Sequence, residues 1–366
     1  MLMIRKRDSE IQGPPLGRQP SRTDWVKFFS GVITGSSAPL IPANIATVIQ
    51  SQKPDWGASL SREHMKATWL GHACCLVELP ASEDAVRGAR VIFDPVFQDR
   101  CSPVQFTGPK RYTDAPCDVH DIPTVDAIIL SHNHYDHTDT PTLQTLVKEH
   151  HAHVFAPLGN RPYLSSIGIP ATHIHTLDWW ESRTVSLSIP ATPSSSSAPT
   201  TLEVQFRITC TPAQHSSNRT LFDRFHTLWS SWAVEDLTGS AGKKAYFAGD
   251  TGYRSVRTGE DPEAVPTCPA FNEIGEKLGP FDLAMIPIGA YDPRALFSGE
   301  HAHPRDSVRI FKDIRAKKAL GIHWGTWILT TEPVLEPPAE LRRECEKANI
   351  TPEEFDICAL GETGAF

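Results

Sequence analysis

Short apolar runs alternate with polar, turn-forming stretches from about residue 67 onward, and this rhythm predicts strands interleaved with helices. Residues 67–79 and 90–94 read as strands, separated by the polar turn around Ser82-Glu83-Asp84. A strand over 126–131 contains Ile128-Ile129-Leu130, and a helix follows from Thr140 to His150. Its start is marked by Thr140-Pro141, since a proline in the first turn gives up an N–H that would have no helical partner. A second apolar series occupies 202–210, 229–235, 243–249, 282–287 and 318–323. Ser188 to Thr201, with four consecutive serines, reads as a low-complexity surface loop. Residues 1–60 are rich in Pro, Ser and Gly and read as a variable, partly ordered extension that packs on the core, leaving 61–366 as the main α/β domain. In an alternative reading, Trp25, Phe28 and Phe29 form a membrane-facing or substrate-guiding surface.

Composition narrows the class. The 366 residues are 40% hydrophobic and 21% charged, ordinary for a globular protein. A formal net charge of -8 argues against nucleic acid as a partner, because phosphate binding needs clustered Lys and Arg. It equally disfavours electrostatic attachment to an anionic membrane, so any transient membrane contact would be apolar and local. Eight cysteines show no C-x-x-C pair and read as reduced and mostly buried. With no secretory core at the start and no run of about eighteen apolar residues, the expectation is a cytoplasmic protein, or one peripheral on a membrane.

The chemistry concentrates in Ser131 to His137, which reads SHNHYDH. In an extended segment alternate residues point the same way, so His132 and His134 can reach one ion while the following turn carries Asp136 and His137 toward a second. A histidine-rich surface loop is the plainer alternative. Against it stand three further donors, each just beyond an apolar strand-like run: His215, Asp250 and His323. Strand ends that converge on one sheet edge are where α/β proteins gather functional groups, and five histidines with two aspartates would make one dinuclear centre.

The ordered set SHNHYDH, His215, Asp250 and His323 resembles the metallo-β-lactamase superfamily. The flanking segments Trp69-Leu70-Gly71-His72-Ala73, Gly108-Pro109-Lys110-Arg111-Tyr112, Cys210-Thr211-Pro212-Ala213-Gln214-His215 and Ile286-Pro287-Ile288-Gly289-Ala290-Tyr291 are similar to the N-acyl-phosphatidylethanolamine-hydrolysing phospholipases D within it. The resemblance runs from about Lys66 to about Pro338. It implies an αββα sandwich of two mixed sheets flanked by helices, with two zinc ions as cofactors. It further implies His132, His134 and His215 on one metal, Asp136, His137 and His323 on the other, and Asp250 as the bridge. The implied reaction is hydrolysis of a phospholipid by an activated water between the metals, giving an N-acylethanolamine and phosphatidic acid, and a homodimer is implied with it.

Other residues carry two readings each. Asp94 is either a carboxylate that orients a ligand histidine or a strand-end turn residue. His301 matches a histidine that contacts phosphate in the resembled family, although Glu300 and His303 depart from that family's neighbours and put head-group selectivity in question. Lys110 and Arg111 can hold a phosphodiester or form a solvated turn. His72 reads as a strand histidine near the site floor, and Trp229, Trp232, Phe222 and Phe225 as core packing. Rival functions are a lactonase or other ester hydrolase on the same metals, because zinc chemistry attacks carbonyl and phosphoryl centres alike, and a non-catalytic metal-binding module.

Overall fold

A computed structural model describes residues 39–366, apart from 83, 193–200, 221 and 239–241. The described chain folds into two seven-stranded mixed sheets with helices outside, the αββα sandwich expected. The first sheet runs in the order β14-β1-β2-β3-β4-β5-β6: β1 is Lys66–Gly71, β2 Cys74–Glu78, β3 Arg90–Phe93, β4 Ala127–Ile129, β5 His153–Pro157, β6 Ile174–Leu177 and β14 Thr363–Ala365. The second runs β13-β12-β11-β10-β9-β8-β7: β7 is Ser182–Pro190, β8 Thr201–Thr211, β9 Ser231–Asp236, β10 Lys244–Phe247, β11 Leu283–Pro287, β12 Ala319–Ile322 and β13 Phe355–Asp356.

Period-two side-chain alternation explains the layering. In β3, β4 and β5, Val91, Phe93, Ala127, Ile129 and Phe155 face the second sheet, where they meet Phe206, Ile208, Trp232, Phe247 and Met285. Ile92, Ile128, Val154 and Ala156 face outward and are covered by Leu143, Leu146 and Val147 of the helix Thr140–His150. Strands buried on both faces read as continuous apolar runs, which is why 126–131, 282–287 and 318–323 stood out in the sequence.

Three expectations need correction. Residues 67–79 are two antiparallel strands, with the chain reversing at His72, whose φ is 49°. Part of the supposed loop 188–201 is strand: β7 continues to Pro190 and pairs with Thr201, while the serine run lies outside the described residues. The signal for β7 was the alternation of Val185, Leu187 and Ile189 with serines, masked by the polar residues an edge strand exposes. Of the four aromatic residues assigned to packing, Trp229 and Trp232 are buried, Phe225 is half-buried, and Phe222 is 89% exposed. Trp25, Phe28 and Phe29 lie outside the described residues. All eight cysteines are free, and five are buried. No helix among the described residues is long and apolar enough to cross a membrane.

Candidate metal centre

The site lies where strand ends of both sheets meet. β3 and β4 run parallel and end at Asp94 and at the SHNHYDH segment; β10, β11 and β12 run parallel and end near Asp250, Tyr291 and His323; β8 leads into His215. These turns are tight. His72, Asp94 and His323 themselves take positive φ values of 49°, 39° and 63°, a conformation that side chains rarely adopt unless the surroundings enforce it. Gly249, at φ 59°, precedes Asp250; a Cβ there would sit 2.5 Å from Cβ of Ser131, so the two sheets close together only over a glycine.

Two groups of donors result. In the first, Nε2 of His132 lies 2.8 Å from Nδ1 of His134, and Nε2 of His215 lies 3.2 Å and 3.3 Å from those atoms. In the second, Oδ2 of Asp136 lies 3.4 Å from Nε2 of His137, 3.7 Å from Nε2 of His323 and 3.0 Å from Nε2 of His72. Asp250 stands between them, with Oδ2 3.1 Å from His137, 3.7 Å from His215 and 3.9 Å from His132, and Oδ1 2.9 Å from His323. All seven residues singled out by the sequence therefore converge, and His72 joins them from the β1–β2 turn rather than from a strand. Its signal was the same one the other donors carry, a histidine directly beyond an apolar strand.

Whether this set fits metal ions is decided by where the imidazole protons go. Nδ1 of His137 donates to Asp94, Nδ1 of His215 to the carbonyl of Glu300, Nε2 of His134 to Oδ1 of Asn218, and Nδ1 of His132 to Oγ of Ser131, which itself donates to Asp94. Each of these bonds fixes the tautomer and leaves the inward nitrogen a bare lone pair. The lone pairs of His132, His134 and His215 therefore face one another, close to the roughly 3.3 Å that separates nitrogens around a tetrahedral zinc with bonds near 2.05 Å. Nε2 of His137, Nε2 of His323 and Oδ1 of Asp250 are likewise buried with no hydrogen-bond partner. Burial, reinforced by the neighbouring imidazoles, holds His132 well below the usual histidine range, while at His323 the carboxylates of Asp250 and Asp136 outweigh burial and push the value up to about 9. The pocket thus calls for positive charge, and the donor set fits two cations.

The remaining predicted residues separate. Asp94 is fully buried and bonds the N–H and hydroxyl of Ser131 as well as His137. His301 places Nδ1 3.9 Å from Asp250 and keeps part of its side chain open to solvent. Glu300 accepts from Oγ of Ser216 and Nη2 of Arg224, so its charge is paired, and His303 accepts the N–H of Arg305 as the cap of the helix Pro304–Asp313. Lys110 pairs with Asp99 at the surface. Arg111 is buried, donates to the carbonyls of Val96 and Gln98 and stacks on Trp327, so its polar partners are backbone rather than donor residues. Arg224 was missed by the sequence reading, since only the fold brings it to Glu300, 76 residues away.

Comparison with known proteins agrees with this architecture. The Beta-lactamase superfamily domain matches residues 89–324. N-acyl-phosphatidylethanolamine-hydrolyzing phospholipase D 1 of Caenorhabditis elegans is 39% identical over 308 residues, which cover 82% of this chain and 76% of that protein. The mitochondrial N-acyl-phosphatidylethanolamine-hydrolyzing phospholipase D of Saccharomyces cerevisiae is 31% identical over 303 residues, covering 81% of this chain and 54% of its own length. Among solved structures, an isothiocyanate hydrolase from Delia radicum gut bacteria superimposes with a TM-score of 0.54 at 20% identity over 82% of this chain and 99% of that one, a likeness of fold alone. The chain belongs to the metallo-β-lactamase superfamily and, within it, to the family of N-acyl-phosphatidylethanolamine-hydrolysing phospholipases D.

Proposed function

We propose that this protein is a phosphodiesterase of phospholipase D type that hydrolyses N-acyl-phosphatidylethanolamine to an N-acylethanolamine and phosphatidic acid at a dinuclear zinc centre. The observation that carries the reading is the likeness to the C. elegans phospholipase D across 82% of the chain, joined to a complete set of inward-facing donors. His132, His134 and His215 would hold one ion, and Asp136, His137 and His323 the other, with Asp250 between them and His72 bonded to Asp136. Ions held there would supply Lewis acidity and lower the pKa of an attacking water toward neutrality. Water adds to phosphorus, the bond from phosphorus to the ethanolamine oxygen breaks, and that oxygen leaves with the proton.

The chain's own residues orient this chemistry. Asp94 and the carbonyl of Glu300 hold His137 and His215 in one tautomer. His301, kept neutral because burial pulls its pKa down to about 3, can donate an N–H to a phosphate oxygen from the open side of the site. Arg224 offsets Glu300 at the rim, so the approach of an anionic phosphodiester meets a neutral pair. Exposed Phe106 and Phe222 provide apolar contact with a lipid surface.

The test is turnover of N-acyl-phosphatidylethanolamine in mixed micelles by zinc-loaded protein, with a simple lactone and unacylated phosphatidylethanolamine run alongside. Release of N-acylethanolamine that chelation abolishes is the expected result. Lactone opening without lipid cleavage would assign the same metals to a different substrate.

A further inference from the structure

Asp306 is a buried carboxylate outside the donor set. It lies in the first turn of the helix Pro304–Asp313, and its side chain is 1% exposed. Oδ2 accepts from Nη2 of Arg294 at 2.6 Å, while Oδ1 lies 2.9 Å from Nε of Arg254 in an ion pair that is not aligned as a hydrogen bond. Arg294 opens the short helix Arg294–Phe297, 12 residues back along the chain, so this pair closes the two ends of the segment that carries Gly299, Glu300 and His301. Arg254 belongs to the chain just beyond Asp250 and is itself buried, with Nη1 donating to the carbonyl of Pro262.

The segment between these clamps faces the metal centre. The carbonyl of Phe297 accepts the N–H groups of Glu300 and His301 at 2.9 Å and 2.7 Å. Oγ of Ser298 accepts the N–H of Val256, and Gln214 donates to the carbonyl of Gly299. Glu300 in turn lends its carbonyl to His215. Unlike His137 and His215, His301 has a buried Nδ1 with no hydrogen-bond partner. Its ring is therefore aimed by the backbone that carries it and by contact with the rings of His215, Phe297 and His323.

We propose that Asp306 is a positioning residue for the phosphodiester, acting through His301. For its substrate the inference rests on the phosphodiesterase reading; for its mechanism it rests on the clamped segment. Two guanidinium groups share one carboxylate, and the side chains of Arg254 and Asp306 are fully buried. Glu263, 3.7 Å from Arg254, is half-exposed and cannot replace that counter-charge. With the Asp306 charge removed, the two cations repel at close range in a poorly screened place, and the clamp on the segment opens. None of the seven donors lies between Arg294 and Asp306. His301, with no hydrogen bond at Nδ1 to hold it, is displaced first.

The experiment is a double-mutant cycle on zinc-loaded protein comprising wild type, Asp306→Asn, His301→Ala and the two combined. It follows kcat/KM on N-acyl-phosphatidylethanolamine in mixed micelles, with histidine-selective NMR in parallel. The expected result is a fall in kcat/KM of roughly tenfold in each single variant, the weight of one hydrogen bond to a charged group, and no further fall in the pair. Losses that multiply overturn the proposal, because a residue that only stabilises the fold acts independently of His301. The His301 resonance, assigned by its absence from His301→Ala, should shift in Asp306→Asn while that of the exposed His120 stays in place. An unmoved His301 resonance rejects the positioning role whatever the substrate. A shift in a protein that leaves the lipid uncleaved supports the positioning and removes the substrate reading alone. If Asp306→Asn does not fold, Arg294→Gln, at a side chain 22% exposed, takes its place with the same outcomes.

Discussion

Asp94 holds His137 through a 2.6 Å contact between Oδ2 and Nδ1, and both side chains are completely shielded from solvent. The same carboxylate takes the N–H and hydroxyl of Ser131. One residue thereby fixes the orientation of a histidine from each donor group, His137 directly and His132 through Ser131.

Asp94→Asn should lower metal affinity and turnover by about 10–100-fold, the usual cost of losing a carboxylate that orients a ligand histidine. Equilibrium zinc titration with parallel kinetics checks it, and wild-type affinity in this variant would remove Asp94 from the functional set.

Asp250→Asn deletes the charge shared between the two donor groups, where oxygen atoms lie 2.9 Å from His323 and 3.1 Å from His137. Turnover should fall by orders of magnitude with loss of bound metal. Full activity would exclude a bridging role.

Chelation should destabilise the fold as well as stop catalysis. Without cations the inward lone pairs of His132, His134 and His215 face one another with no donor between them, and an unsatisfied buried polar group costs about 1–3 kcal/mol. Calorimetry should show a melting temperature several degrees lower in the chelated protein, recovered on adding zinc back; coincident melting curves would argue against a buried cation site.

Arg224→Ala leaves the Glu300 carboxylate unpaired at the rim. An anionic phosphodiester should then show a KM raised several-fold at low ionic strength, with the effect shrinking as salt is added. Kinetics at two salt concentrations provide the readout, and a KM insensitive to both changes would take the pair out of substrate approach.

Asp282 predicts part of the acid response. Burial raises its pKa, but the Lys244 N–H and the ammonium groups of Lys317 and Lys243 outweigh burial and hold it below the ordinary carboxylate value. A depressed folded-state pKa stabilises the protein above the unfolded value of about 3.9, and that contribution fades as pH falls through the folded value. The stability gap between wild type and Asp282→Asn should therefore be full at neutral pH and close below about pH 4. A gap that stays constant in denaturant titrations from neutral to acid pH would contradict this.

Much of the site was legible in the sequence because metal ligation constrains residue type and the strand ends that bear the ligands are apolar. SHNHYDH, His215, Asp250 and His323 each follow such a run, and the helix Thr140–His150 has the predicted bounds. Both sheets were foreshadowed wherever strands are buried on two faces; β7, polar on its exposed face, was not. Tertiary structure alone decided the pairings. His215 meets His132 across 83 residues, His72 reaches Asp136 across 64, and Arg224 finds Glu300 across 76. Composition and periodicity report how a segment relates to its own backbone. Which two segments face each other, and so whether a glutamate repels a phosphate or is already neutralised, follows from the packing of two sheets against one core.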